Sequence, residues 1–224
     1  MPSGGLLEGG YARSPRSLRV VILEYGTTMP DTIPTGPNVR RLWPSDRAMV
    51  EAYFLRLDPD TRANRFMAAL SDAAAVAYAA RALTVEGLVF GGFVEGTLRA
   101  LGELRPLTGP VPGLSLGRDA EAAFAVERGF RRNGLGHALF RRIVSAARNR
   151  GVRDLHVRCL SRNGPMRGLA TKLGAVVTLA DGDAEGALVL ARPTPISLWR
   201  EGLDEALDFT LAVAAAAEPL KRAA

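Results

Sequence analysis

The sequence predicts an α/β fold built on one central mixed, mostly antiparallel sheet that is flanked by helices and followed by an extra C-terminal helix. Helical patterns fill residues 45 to 84, two β-like runs follow at 87–107, and a strand-helix-strand-helix-strand series occupies 120 to 192. The chain has 224 residues, 47% of them hydrophobic, which suffices for one substantial core but not for two full enzyme domains.

Three segments are expected along the chain. Residues 1–17 are rich in Gly, Ser, Pro and Arg and predict a flexible tail. Residues 18–195 form the main domain, which begins with a candidate strand, "LRVVILEYG" (18–26), and a loop rich in proline. Residues 196–224 predict a long amphipathic helix.

The first half of the main domain alternates short strands and capped helices. "NVRRLW" predicts a strand that Pro44 ends, and Ser45 and Asp46 cap the helix after it. Asp58-Pro59-Asp60 restarts a short helix that runs through Phe66, and Ser71 or Asp72 caps a third helix. The runs within 87–107 form a hairpin around Glu95-Gly96-Thr97.

The second half alternates strands and helices. In chain order, the pattern predicts a strand at 120–126, a helix from about 134 to 150, a strand at 152–160, a short helix at 163–174, and a last strand pair around Asp181-Gly182-Asp183. In the C-terminal helix, one stripe carries Ile196, Trp199, Leu203, Leu207 and Leu211. This stripe suits packing on the sheet and pairing with another subunit, as in a homodimer, and the sequence does not choose between them.

The amino-acid composition indicates which classes of binding partner and which cellular compartment to expect. Lys and Arg number 29 against 23 Asp and Glu, and all but Lys172 and Lys221 are arginines, which favours an anionic ligand or partner. Aromatic residues make up only 6%, without basic-aromatic interleaving, so nucleic acid is disfavoured as a partner.

Cys159 is the only cysteine, so no disulfide framework is expected. Two isolated histidines predict no metal site. Lacking a signal-peptide core or membrane-spanning run, the chain is expected to be cytoplasmic, with no membrane partner.

Two glycines stand at the start of the helix within "RRNGLGHALFRR" (131–142). The free N–H groups and positive dipole end of a helix bind anions, and glycine lets a phosphate approach the backbone. A nucleoside-triphosphate loop requires Gly-Lys-Ser/Thr, but His137 and Ala138 follow Gly136. A dinucleotide fold requires a third glycine where Leu139 stands. Arg141 and Arg142 are expected at the surface.

A third template fits better. The stretch 131–136, with Val126 and Phe130 in register before it, resembles the coenzyme A pyrophosphate loop of the GNAT N-acyltransferase superfamily. The second motif of that superfamily is matched by Asn163 and by Leu173-Gly174. The resemblance covers residues 38–192 and implies the GNAT fold, acetyl-CoA as the co-substrate, and an amine acceptor, either a protein lysine or a small molecule.

Within the superfamily, the chain is most similar to the GNAT domains of bacterial protein lysine acetyltransferases. "FLRLDPDTRANRFMAALS" (54–71) resembles their paired-helix entry segment, and "AEAAFAV" (120–126) resembles their strand that contains Ala-Glu.

The resemblance also implies which residues bind the acyl-CoA. The strand that ends at Val126 is expected to bulge and to splay from the next strand, so that its backbone N–H polarises the acyl carbonyl. Asn163 is expected to bind the pantetheine arm or to cap its helix. The pyrophosphate is assigned to the loop residues Arg131, Arg132, Gly134, Leu135, Gly136 and His137.

Acyl transfer to an amine requires a base, because an alkylammonium has a pKa of about 10.4. Glu121 is the first candidate, since it falls where the lysine-acetylating subfamily carries its glutamate. On a strand it shares a face with Ala123 and Ala125, which would leave room for an amine. Glu103, on the preceding strand, is the second candidate. A strand-end carboxylate in solvent is the alternative interpretation of Glu121.

Two positions depart from the superfamily pattern. Ala170 stands where many members place a tyrosine, the proposed acid for the thiolate, and Ala175 stands where an aromatic residue follows Leu-Gly. They favour a second hypothesis, in which the domain binds coenzyme A as a sensor or scaffold without catalysis.

Overall fold

The computed structural model describes residues 38–107, 115–180 and 182–222. The tail expected at 1–17, the strand expected at 18–26 and Asp181 lie outside these residues, as does most of the loop at 108–118.

Among the described residues, seven strands form one sheet in the order β1-β2-β3-β4-β5-β7-β6. Their bounds are β1 (Asn38–Arg41), β2 (Leu88–Val94), β3 (Thr97–Pro106), β4 (Asp119–Val126), β5 (Asp154–Leu160), β6 (Val176–Ala180) and β7 (Asp183–Val189). Within this described sheet, only β4 and β5 run parallel, and every other neighbouring pair is antiparallel. The predicted mixed, mostly antiparallel sheet is therefore confirmed.

In the part of the chain that the structure describes, six α-helices surround the sheet, at the places that the sequence predicts. They are α1 (Arg47–Arg56), α2 (Pro59–Phe66), α3 (Asp72–Ala82), α4 (Leu135–Asn149), α5 (Gly164–Lys172) and α6 (Pro195–Arg222). Local chemistry fixes several starts: Asp58 accepts a hydrogen bond from the Thr61 N–H at 3.1 Å, and Ser71 accepts one from the Ala74 N–H at 3.3 Å.

Each face of the sheet has its own apolar core. On one face, α4 packs on β2 and β3, with Leu139 and Ile143 fully buried. The helix approaches closely because β3 carries a glycine there: a Cβ on Gly102 would lie 2.7 Å from the Ile143 Cδ1. On the other face, α1 and α3 enclose a cluster around Tyr53 and Phe54. Burial of these apolar side chains away from water stabilises the packing on both faces of the sheet.

The C-terminal helix docks through its polar side. Glu201 pairs with Arg150, and Asp208 accepts a hydrogen bond from an Arg142 Nη at 2.8 Å. Arg142, expected at the surface, is therefore only 13% exposed, since α6 covers it and supplies the carboxylates of Asp204 and Asp208. The predicted apolar stripe of this helix faces away from the sheet.

Candidate active site

A wedge opens in the sheet between β4 and β5. Their parallel ladder has three pairs and ends at Glu121 and His156. Beyond this point β4 continues through Val126 with β3 as its only partner strand among the described residues. The expected splay is therefore present. The expected bulge is not seen, since the register of β4 with β3 continues through Val126 without a shift, so the splay comes from the end of the β5 ladder.

Main-chain groups of β4 point into this wedge. The Leu107 N–H donates to the Asp119 carbonyl at 3.0 Å, and the Glu127 N–H donates to the Arg99 carbonyl at 2.9 Å. The backbone N–H and C=O groups of successive residues alternate between the two edges of a strand. These bonds therefore show that the backbone groups of the odd-numbered residues of β4 point toward β3, and those of the even-numbered residues point away from it. The N–H of Val126 is consequently directed toward the wedge.

The loop before α4 forms an anion cradle at one end of the wedge. Arg132 (φ 65°) and Gly134 (φ 78°) both adopt left-handed backbone conformations, and Gly134 is the N-cap of α4 without a side-chain cap. The first helical bond runs from the Ala138 N–H to the Gly134 carbonyl at 2.9 Å. The N–H groups of residues 135–137 therefore have no partner among the described residues, and they can bind an anion.

Gly136 connects the cradle with the wedge. A Cβ at this position would lie 3.5 Å from the Val126 Cγ2 and 3.6 Å from the Leu169 Cδ2, which are ordinary contacts. Packing within the protein therefore does not require glycine here. The bare backbone of Gly136 instead leaves space beside Val126, where a ligand phosphate could approach the helix start.

The charged residues of the loop differ in their roles. Arg131 turns inward: its Nε donates to the Val126 carbonyl at 3.1 Å, and its Nη2 donates to the Thr61 Oγ1 at 2.5 Å. Its main-chain N–H donates to the Arg128 carbonyl at 3.4 Å. Arg132 is exposed. Burial and the nearby cations lower the pKa of His137.

Asn163 is the N-cap of α5. Its Oδ1 accepts a hydrogen bond from the Met166 N–H at 3.3 Å, so the helix start is its contact within the chain. Ala170 and Ala175 are both buried core residues, and a Cβ on Gly186 of β7 would lie 3.6 and 3.4 Å from their Cβ atoms. Both small side chains therefore face the glycine of β7.

Glu121 stands where the wedge begins. It is half-buried and lies in register between Arg105 of β3 and His156 of β5. Among the described residues, its carboxylate has no ion-pair partner. His156 carries acidic neighbours instead, with its Nδ1 3.1 Å from a Glu185 Oε and its Nε2 3.8 Å from an Asp119 Oδ.

Glu103 lies on the same face but in a closed environment. Its side chain is 1% exposed, and its oxygens accept hydrogen bonds from Arg65 at 2.5 Å, from Arg105 at 2.7 Å and from the Tyr78 hydroxyl at 2.8 Å. Burial raises the pKa of a carboxyl group, but the two guanidiniums outweigh burial, so the pKa of Glu103 is lowered. Glu103 is thus held as a carboxylate whose oxygens are already engaged.

The end of β4 is held by two residues, Tyr53 and Thr61, that the sequence motifs did not indicate. The hydroxyl of the buried Tyr53 donates to the Ala125 carbonyl at 2.7 Å, and burial raises its pKa. Thr61 of α2 accepts from Arg131. The helical spacing around Tyr53 and the Asp58 cap place both residues on helices, but their pairing with β4 depends on tertiary packing.

Comparisons with known proteins agree with this geometry. The family model described as "Acetyltransferase (GNAT) family" matches residues 50–175. No curated protein matches the chain significantly in sequence.

Solved structures resemble the fold. The GNAT domain of S. lividans PAT is 21% identical, with a TM-score of 0.60 over 69% of this chain and 90% of that one. A putative acetyltransferase from Salmonella typhimurium, yncA, solved "with its cofactor Acetyl-CoA", is 17% identical, with a TM-score of 0.55 over 71% of this chain and 97% of that one. An acetyltransferase of the GNAT family from Streptococcus pneumoniae is 16% identical, with a TM-score of 0.55 over 69% and 99%.

The described helices include none that is both long enough and apolar enough to cross a bilayer.

Proposed function

Because this chain belongs to the GNAT acetyltransferase family and is an N-acetyltransferase, we propose that it transfers the acetyl group of acetyl-CoA to a lysine side chain of a protein, with Glu121 as the base. The observation that supports this most is the position of Glu121, a carboxylate at the point where β4 and β5 separate. The amine attacks directly within a ternary complex.

The residues present fit an acyl-CoA. The pyrophosphate would bind the N–H groups at the start of α4, in the cradle that Arg132 and Gly134 shape with their left-handed backbones. The pantetheine arm would enter the wedge between β4 and β5 near Asn163. The Val126 N–H would donate to the acyl carbonyl oxygen as charge develops on it. Arg131 has a positioning role, since it ties the end of β4 to α2.

The acceptor binds as an alkylammonium, and Glu121 takes one proton from its nitrogen, directly or through water. The neutral nitrogen then forms a bond to the thioester carbonyl carbon, and the C–S bond of the resulting tetrahedral intermediate breaks. Coenzyme A departs as a thiolate, which takes up the second nitrogen proton by way of solvent. A thiol pKa of about 8.5 makes this departure easy, so the absence of a tyrosine at Ala170 does not block turnover.

The side chains on the β5 side of Glu121 favour a cationic acceptor, and Arg105 on its β3 side is paired with Glu103. Asp119 and Glu185 lie next to His156, the register partner of Glu121. Carboxylates near the wedge attract an alkylammonium and raise its local concentration. A lysine acceptor is further supported by the resemblance of segments 54–71 and 120–126 to the lysine-acetylating subfamily.

Isotope-labelled acetyl-CoA tests this proposal. The protein is incubated with lysine peptides, with a panel of small primary amines and with a cell extract, and acetylated products are identified by mass spectrometry. We expect labelled acetyl-lysine, and the Glu121→Gln variant as a matched control should yield far less. Label on small amines alone would contradict the lysine assignment. Tight binding of coenzyme A with no transfer to any acceptor would instead favour the sensor or scaffold function.

A further inference from the structure

The C-terminal helix α6 is amphipathic with its polar side turned inward. Its buried residues include Ser197, Glu201 and Asp208, and it docks on Arg142 and Arg150 of α4. Among residues 195–213 of α6, the large apolar side chains are exposed: Ile196 (63%), Leu198 (49%), Trp199 (67%), Leu203 (47%), Leu207 (63%), Phe209 (57%), Leu211 (49%) and Val213 (53%). Soluble monomers rarely leave such a continuous apolar surface in water, so this face needs a partner.

The outward residues follow a coiled-coil spacing. Successive residues of an α-helix are rotated by about 100° about its axis. On α6, the positions that face away from the docked side are therefore separated alternately by three and four residues. We call this set the seam, and it consists of Ile196, Trp199, Leu203, Ala206, Thr210 and Val213. None of its members is charged, and the family match at 50–175 does not reach it.

The seam is complementary to a reversed copy of itself. If two seams run antiparallel about an axis between residues 204 and 205, Trp199 meets Thr210, Leu203 meets Ala206, and Ile196 meets Val213. Each layer then places a larger side chain against a smaller one, which lets two helices approach closely. A two-fold contact requires such self-complementarity.

We propose that α6 pairs antiparallel with α6 of a second copy of this chain through the seam. The one polar seam residue suits burial, because the Thr210 hydroxyl already donates to the Ala206 carbonyl at 2.8 Å. The large side chains of the seam, Ile196, Trp199, Leu203 and Val213, offer about 500 Å² per chain, taking roughly 150–250 Å² for each large side chain when fully exposed. The pair then buries about 1,000 Å², which is near the lower limit for a specific interface.

Analytical ultracentrifugation of the full chain tests the pairing. We expect a reversible dimer between about 1 and 100 μM, the affinity range of a small interface. Leu203→Glu places a charge in the seam and should weaken dimerisation at least 100-fold. Leu198→Glu is the matched control, because it is the same substitution on the same helix at a similar exposure but outside the seam, and it should leave the dimer largely intact. A monomer at 100 μM, or equal effects of the two variants, would overturn the proposal.

Cysteine cross-linking tests the orientation. In an antiparallel pair, position 199 lies about 16 Å along the axis from its own copy but opposite position 210. Trp199→Cys and Thr210→Cys, mixed and oxidised, should form a disulfide-linked heterodimer, whereas each alone should form little. The unsubstituted chain gives the background from the buried Cys159. Efficient cross-linking of each variant with itself would show a parallel pair and contradict this geometry.

Discussion

Two glutamates on neighbouring strands occupy opposite environments in this molecule. Glu103 and Glu121 lie on the same face of the sheet, since Glu121 is in register with Arg105, two residues from Glu103. Glu103 belongs to a closed region, in which two arginines and a tyrosine engage its carboxylate under α2 and α3. Glu121 belongs to an open region, where β4 leaves β5 beside the glycine loop.

The difference shows how the same residue type acquires different tasks. In the closed region, every buried charge is matched, so a substitution there should change stability. In the open region, backbone N–H groups and a carboxylate are left without partners among the described residues, so a substitution there should change function.

The largest effect is expected in the open region. Glu121→Gln should lower kcat by 10² to 10⁴, about the contribution of a general base, while the Kd for coenzyme A stays within twofold. Steady-state kinetics and calorimetry measure the two quantities, and urea unfolding should show a change below about 0.5 kcal/mol. Unchanged turnover of Glu121→Gln would show that Glu121 is not the base.

In the closed region, Glu103→Gln should destabilise the fold by about 3–5 kcal/mol, because it leaves the buried guanidinium of Arg65 without its carboxylate. Since the pKa of Glu103 is lowered, its stabilisation is present above the ordinary carboxyl pKa and is lost as the pH falls through the lowered value. The difference in unfolding free energy from the unsubstituted chain should therefore shrink in acid. A stable variant with kcat lost would instead identify Glu103 as the base.

Gly136→Ala should weaken the binding of coenzyme A without lowering the stability of the fold. Alanine is favoured over glycine in a helix by about 0.5–1 kcal/mol, and the added Cβ makes only ordinary contacts, so the free energy of unfolding should rise slightly. The methyl group would occupy the approach to the helix start and should raise the Kd for coenzyme A about tenfold. Calorimetry of binding and urea unfolding measure both, and unaffected binding would place the phosphate elsewhere.

The smallest effect is expected at Asn163, at the edge of the open region. Asn163→Ala removes the cap of α5 and should cost about 1 kcal/mol of stability. Asn163→Asp keeps a capping oxygen and should restore this stability, but it should not restore coenzyme A affinity if the amide N–H binds the pantetheine arm. Full restoration of both by aspartate would limit Asn163 to its capping role.

Most of the fold could be predicted because its signals are local. Alternation, helical spacing and caps such as Asp58 are contained within short segments, and the helices and strands lie where these patterns place them. The glycine loop was also a local motif. The inward-facing polar side of α6 was not predictable, since it depends on carboxylates that meet Arg142 and Arg150, more than 50 residues away. The separate roles of Glu103 and Glu121 likewise arise from tertiary neighbours that no pattern along a strand contains.

The pH dependence of the Glu121→Gln variant tests the central claim most directly. With the best amine acceptor from the acetylation screen, kcat/KM is measured for the unsubstituted chain and the variant from pH 7 to 9.5. Without a base, the variant depends on the free amine, whose fraction rises about tenfold per pH unit below its pKa of about 10.4. If Glu121 removes the proton, the ratio of the two rates should be largest at pH 7 and fall steadily as the pH rises. A ratio that stays constant over this range would contradict the assignment of Glu121 as the base.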